Sequence, residues 1–157
     1  MKKHLQLASW LLLLVASFQL QAMDIQVKNP HVRAVPPGSQ VTAAFMELHN
    51  HGSEKRALVD ASSPVSAAVE LHTHTEVDGV MQMRRVSQIE LPAGGVARLE
   101  PGGLHLMLID LHSGLNTDTQ VEITLTLDDG SLIELNLPVK RVHGHQGGHQ
   151  QDSHQHH

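Results

Sequence analysis

Fourteen histidines and six methionines stand out in a chain of 157 residues that has no cysteine and no tyrosine. With thiolate absent, imidazole and thioether are the soft and borderline metal donors that remain. Three pairs of them recur at i and i+2: His72 with His74, Met81 with Met83, and His105 with Met107. In a strand, that spacing puts both side chains on one face. Asp78-Gly79 separates the first two pairs and reads as the two-residue loop of a hairpin. Val77 then pairs with Val80, His74 faces Met83, and His72 lies diagonal to Met83. Opposite Cβ atoms are about 5 Å apart and diagonal ones about 7–8 Å, so either histidine can share one metal ion with Met83. His105 and Met107 supply two further donors, while Leu104, Leu106 and Leu108 point to the other face. Two thioethers select Cu(I), and imidazole also suits copper. Hard ions such as Ca²⁺ and Mg²⁺ call for oxygen ligands, and zinc sites are built from Cys, His and carboxylate.

These donors need strands to hold them. Turn signals recur at short intervals, at Pro36-Pro37-Gly38, Asn50-His51-Gly52, Asp78-Gly79, Pro92-Ala93-Gly94-Gly95, Pro101-Gly102-Gly103 and Asp129-Gly130. The segments between them have strand length, which predicts an all-β sandwich or barrel of about seven or eight strands. Nine segments supply the candidates for those seven or eight strands, near 25–35, 40–50, 55–61, 67–76, 79–91, 96–100, 104–111, 120–128 and 131–140. Val121, Ile123, Leu125 and Leu127 alternate with polar residues, as do Ile133, Leu135, Leu137 and Val139 across the next turn. That pattern is a hairpin with one apolar face. Pro138 predicts that the last strand lies at an edge or ends there. His31, His49, His51 and His112 read as solvent-facing or turn residues.

The two ends differ from the middle. Lys2 and Lys3, the apolar run Leu7–Phe18 and small Ala22 follow the pattern of a secretory signal peptide over residues 1–22. The apolar run is short for a membrane span, so cleavage near Ala22 would leave no stable membrane insertion. Residues 23–142 would form the folded domain. Residues 143–157 have no apolar side chain and carry His143, His145, His149, His154, His156 and His157. Such a segment cannot add to a core and is expected to be a disordered tail, a second place for Cu(II) or zinc.

Composition removes other functions. With Trp10 and Phe18 in the leader, Phe45 is the one large aromatic left, so stacking platforms for bases are excluded. A formal charge of −5 gives no basic footprint for nucleic acid. There is no Gly-x-Ser-x-Gly elbow and no His-Glu-x-x-His helix, so hydrolase chemistry finds no support. A copper/zinc dismutase could use His72-Thr73-His74, but two thioethers bias a metal away from the cycling such an enzyme needs. The chain is therefore expected not to be an enzyme.

From about Asp24 to Arg141 the chain resembles the periplasmic PCu(A)C copper-chaperone family. That family's pattern, His-x10-Met-x21-His-x-Met, is matched by His72, Met83, His105 and Met107. Val69-Glu70-Leu71-His72, Asp78-Gly79-Val80-Met81 and Pro101-Gly102-Gly103-Leu104-His105-Leu106-Met107-Leu108 resemble it too. The resemblance implies a cupredoxin-like Greek-key β-sandwich with an exposed Cu(I) site. His72 is then the primary ligand and His74 an auxiliary one. It also implies a periplasmic location and delivery of copper to the CuA centre in subunit II of cytochrome c oxidase, or to another periplasmic copper carrier. The alternative is a copper or zinc buffering and resistance protein without a dedicated oxidase partner.

Overall fold

The computed structural model describes residues 24–141. The expected leader and His-rich tail lie outside the described residues. Ten strands follow in order: β1 (Ile25–Arg33), β2 (Val41–Asn50), β3 (Arg56–Ser62), β4 (Ser66–Val77), β5 (Val80–Arg85), β6 (Ile89–Leu91), β7 (Val96–Leu99), β8 (His105–Leu111), β9 (Gln120–Leu127) and β10 (Leu132–Lys140). Among the described residues there is no helix. The all-β, cupredoxin-like expectation is borne out.

The strands run β5-β4-β8-β2-β1-β10-β9-β3-β6, and β3 also pairs with β4. That extra pairing, Ala61 with Val69, closes β4-β8-β2-β1-β10-β9-β3 into a circuit. Strands β5, β6 and β7 hang off it, on β4, β3 and β2. All pairings are antiparallel except that of β1 with β10.

The alternation seen at the C-terminal end of the domain fills the interior. Val121, Ile123, Leu125, Leu127, Ile133, Leu137 and Val139 are all buried. From the opposite side come Val32, Ala44, Leu48, Val69, Leu71, Leu106 and Leu108. Each large aliphatic side chain withdrawn from water in this way stabilises the fold by about 1.5–3 kcal/mol. An aliphatic core suffices without aromatic bulk.

Two expectations are corrected. The segment 79–91 is two strands, because its halves serve different partners. β5 pairs with β4, β6 pairs with β3, and the chain crosses between them at Val86, whose N–H donates to the Leu71 carbonyl at 2.9 Å. Strand β10 is interior rather than at an edge, although its pairing with β9 does end at Pro138, opposite Gln120. Pro138 is tolerated there because β1 pairs only with Val139 and Lys140, so no β1 residue needs a proline N–H.

Candidate metal centre

The β4–β5 hairpin has the register read from its turn. Val77 pairs with Val80 and His74 with Met83, and His72 pairs with Arg85. Asp78 and Gly79 both have positive φ, 51° and 78°, as a type I′ turn requires. On its other edge β4 pairs with β8, so that His72 lies beside His105 and Glu70 beside Met107. Met107 pairs in turn with Ala43 of β2. Partners in register share a face. One face of the β5-β4-β8-β2 sheet therefore carries His72, His74, Met83, His105 and Met107 together. Leu71, Leu106 and Leu108 turn the other way, into the core.

The three imidazoles are close. The His105 ring centroid lies 5.8 Å from that of His72 and 5.1 Å from that of His74. His105 is the buried member, at 2% exposure, and Met83 is the open one, at 46%. His72, His74 and Met107 are half-buried. The site thus grades from a protected floor to an exposed rim.

Hydrogen bonds set the ring tautomers. His105 Nδ1 donates to the Gly103 carbonyl at 3.1 Å, which leaves Nε2 unprotonated in the neutral ring. The same carbonyl accepts the His74 backbone N–H at 3.3 Å, so Gly103 ties β4 to the start of β8. His72 Nε2 donates to Glu70 Oε2 at 2.8 Å, so that in the neutral ring Nδ1 is the lone-pair nitrogen. Glu70 is also 3.2 Å from the Arg85 guanidinium. Its carboxyl is held below the usual range, first by the hydrogen bond from His72, with Arg85 assisting and burial opposing. Burial pushes the His105 imidazole down, more than the Gly103 hydrogen bond raises it. A neutral imidazole is the form that binds metal.

Two nitrogens test whether this face suits a metal. Among the described residues, His72 Nδ1 and His74 Nδ1 are buried and have no hydrogen-bond partner. A buried, unpartnered nitrogen costs about 1–3 kcal/mol unless something occupies it. A soft cation accepting its lone pair answers that deficit, and the thioethers of Met83 and Met107 stand on the same face. Among the described residues no three His or carboxylate side chains already converge on one point. Methionine donors or ring rotation must complete a coordination sphere.

Some site neighbours escaped the sequence reading. Phe45, 3% exposed, has its ring 6.5 Å from that of His105 and 5.5 Å from that of His31. The Arg33 guanidinium lies 5.5 Å over the same ring. His31 is thus half-buried beside the floor of the site rather than at a turn. Glu70 could have been found, since it precedes His72 by two residues and must share its face. Nothing local marks Phe45 or Arg33, which reach the site through the pairing of separate strands. His49 hydrogen-bonds Glu47, His51 bonds Gln26, and His112 bonds the Pro64 carbonyl.

Residues 25–139 match the family model described as "Putative lipoprotein LpqE-like". The chain belongs to this LpqE-like family. Its LpqE-like domain is 35% identical over 125 residues to "Putative lipoprotein Lxx21020" of Leifsonia xyli subsp. xyli (strain CTCB07), covering 79% of this chain and 74% of that one. The solution structure of CuI-DR1885 from Deinococcus radiodurans is 33% identical, covering 78% and 82% of the two chains with a TM-score of 0.63. The copper-bound PCuAC domain from PmoF2 shares the fold, with a TM-score of 0.63 at 20% identity over 76% of this chain and 94% of that one. The resemblance to PCu(A)C domains is borne out.

Proposed function

We propose that the LpqE-like domain is an exported copper carrier, not an enzyme. It holds Cu(I) through His72, Met83, His105 and Met107 and hands it to the CuA centre of cytochrome c oxidase. The observation that carries this reading is the single sheet face where β4, β5 and β8 bring two histidines and two methionines together. The unpartnered His72 Nδ1 supports it. So does the family: the 33%-identical Deinococcus protein is described in a Cu(I) form. Export accords with the leader-like residues 1–22 and with the lipoprotein descriptions of the relatives. The histidines at 143–157 form a separate, weaker site for Cu(II) or zinc.

Thioethers suit a carrier because they are neutral, weak and soft donors. A partner's thiolate or imidazole can replace them one at a time. The exposed Met83 is the ligand such a partner reaches first.

Anaerobic competition with a chromophoric Cu(I) chelator tests the site. Replacing both Met83 and Met107 by Ala should weaken Cu(I) binding by more than the roughly 10–100-fold that loss of an outer-shell partner costs. Unchanged affinity would remove these residues as ligands. Delivery is tested separately in a strain lacking the protein. Loss of oxidase activity that added copper rescues supports delivery, whereas copper sensitivity with normal oxidase means buffering.

A further inference from the structure

Among the strands, only β5 has every side chain open to solvent. It pairs with β4 along one edge, and among the described residues nothing pairs with the other. Two of its six residues are methionines. Met46, Met81, Met83 and Met107 are the methionines of the described residues, and they divide by position. Met81 is 56% exposed and Met83 46%, whereas Met46 is 2% exposed in the core. Met107 is half-buried on β8, between β4 and β2. The carrier reading gives Met83 a role. It gives none to Met81, which stands opposite Glu76, beyond the histidines.

We propose that Met81 and Met83 form a paired oxidation site, where a peroxide converts both thioethers to sulfoxides while Met107 and Met46 are spared. The site itself rests on exposure and on place in the fold. Its effect on copper rests on the carrier reading.

Thioether oxidation is an oxygen transfer. A sulfur lone pair attacks one oxygen of the peroxide, and the O–O bond breaks as the S–O bond forms. The proton of the attacked hydroxyl passes to the departing one, which leaves as water. Sulfur gives up two electrons and the peroxide takes them. The oxidant must reach the sulfur from solvent, and on β5 it does so with the fold intact. At Met46 the chain must first open, and core strands open at free energies approaching that of global unfolding. Residues i and i+2 of a strand share a face with about 7 Å between them, so Met81 and Met83 meet the same solvent.

The position also makes the product tolerable. A sulfoxide is polar and disrupts a core that contains it. Neither Met81 nor Met83 belongs to the core cluster. Strand β5 is held by its ladder to β4, which pairs Val80–Arg85 with His72–Val77 through the backbone. The oxidised strand therefore keeps its register and stays in solvent, where enzymes that reduce methionine sulfoxide can reach it. Oxidation here is reversible chemistry on a folded domain. On the carrier reading, a sulfoxide at Met83 turns a soft sulfur donor into a harder oxygen one, which no longer favours Cu(I).

The test treats the metal-free full chain with hydrogen peroxide, samples it over time and assigns each sulfoxide by tandem mass spectrometry. Met81 and Met83 should oxidise at least about tenfold faster than Met46, which waits on opening of the core, and faster than Met107. Oxidation of Met107 or Met46 at the rate of the β5 pair overturns the proposal. The urea midpoint of the oxidised chain should equal that of the untreated one. Methionine sulfoxide reductases for the two sulfur epimers should return both residues to thioethers. A lowered midpoint, or sulfoxides that resist reduction, overturns the reversible site. In Met81→Leu, peroxide should lower Cu(I) affinity as far as Met83→Ala does, and reduction should restore it. Oxidation that maps to Met83 without changing Cu(I) affinity is a different result: it removes Met83 from the ligand set and leaves the oxidation site standing.

Discussion

Glu70 is where a single side chain decides how a candidate ligand presents itself. It accepts the Nε2–H of His72 and faces the Arg85 guanidinium, so the imidazole is fixed in one tautomer and one orientation. Outer-shell carboxylates of this kind also raise the basicity of the ring they hold. Changing Glu70 to Gln keeps an acceptor oxygen but removes the charge. Cu(I) affinity should then fall by roughly tenfold, the lower end for an outer-shell change. Chelator competition reads this directly, with Glu70→Asp as a partial rescue. Affinity equal to that of the unaltered chain in both variants would mean that His72 needs no orienting partner.

At the scale of the element, the β4–β5 hairpin places Met83 opposite His74 because its turn admits one register. Gly79 has φ of 78°, and a Cβ added there would meet nothing within 4 Å. The cost of Gly79→Ala is therefore backbone strain alone, about 1–2 kcal/mol for an L-residue in that region. Urea titration should show the loss, and Cu(I) affinity should drop with it because Met83 rides on the strand that the turn aligns. A variant with full stability would show that the hairpin is held by its flanks instead. This element was also the most legible in the sequence. A two-residue turn and two alternating His/Met pairs are local signals, and they define the register without outside help. The same is true of the β9–β10 hairpin. What could not be read depends on strands far apart in the chain. Only the completed sheet shows that 79–91 divides between β4 and β3, that Pro138 meets no β1 partner, and that Phe45 lies under His105. The choice between His72 and His74 was open for the same reason, since it depends on β8 lying beside β4.

Across the whole molecule, core and site occupy opposite faces of one layer. Leu106 and Met107 are neighbours in β8, yet Leu106 is fully buried while Met107 lies with the site residues. Leu106→Ala should cost about 2–5 kcal/mol of stability, the range for a buried leucine. Met107→Ala should leave the urea midpoint of the metal-free protein close to its original value and weaken Cu(I) binding instead. Comparing the two by denaturation and by chelator competition checks the separation. Equal destabilisation by both changes would mean that the site is part of the packing.

Strand β5 leaves one more mark on the behaviour of the molecule. All six of its side chains are exposed, and among the described residues it pairs only with β4. An open strand edge is a template on which a second copy can add its own strand, and basic residues are a common safeguard against it. Arg84 and Arg85 end β5. A copy adding its own β5 parallel and in register would set these arginines against their counterparts, which opposes that pairing. On the carrier reading proposed above, this charged edge would also be what leaves Met83 uncovered for an incoming acceptor.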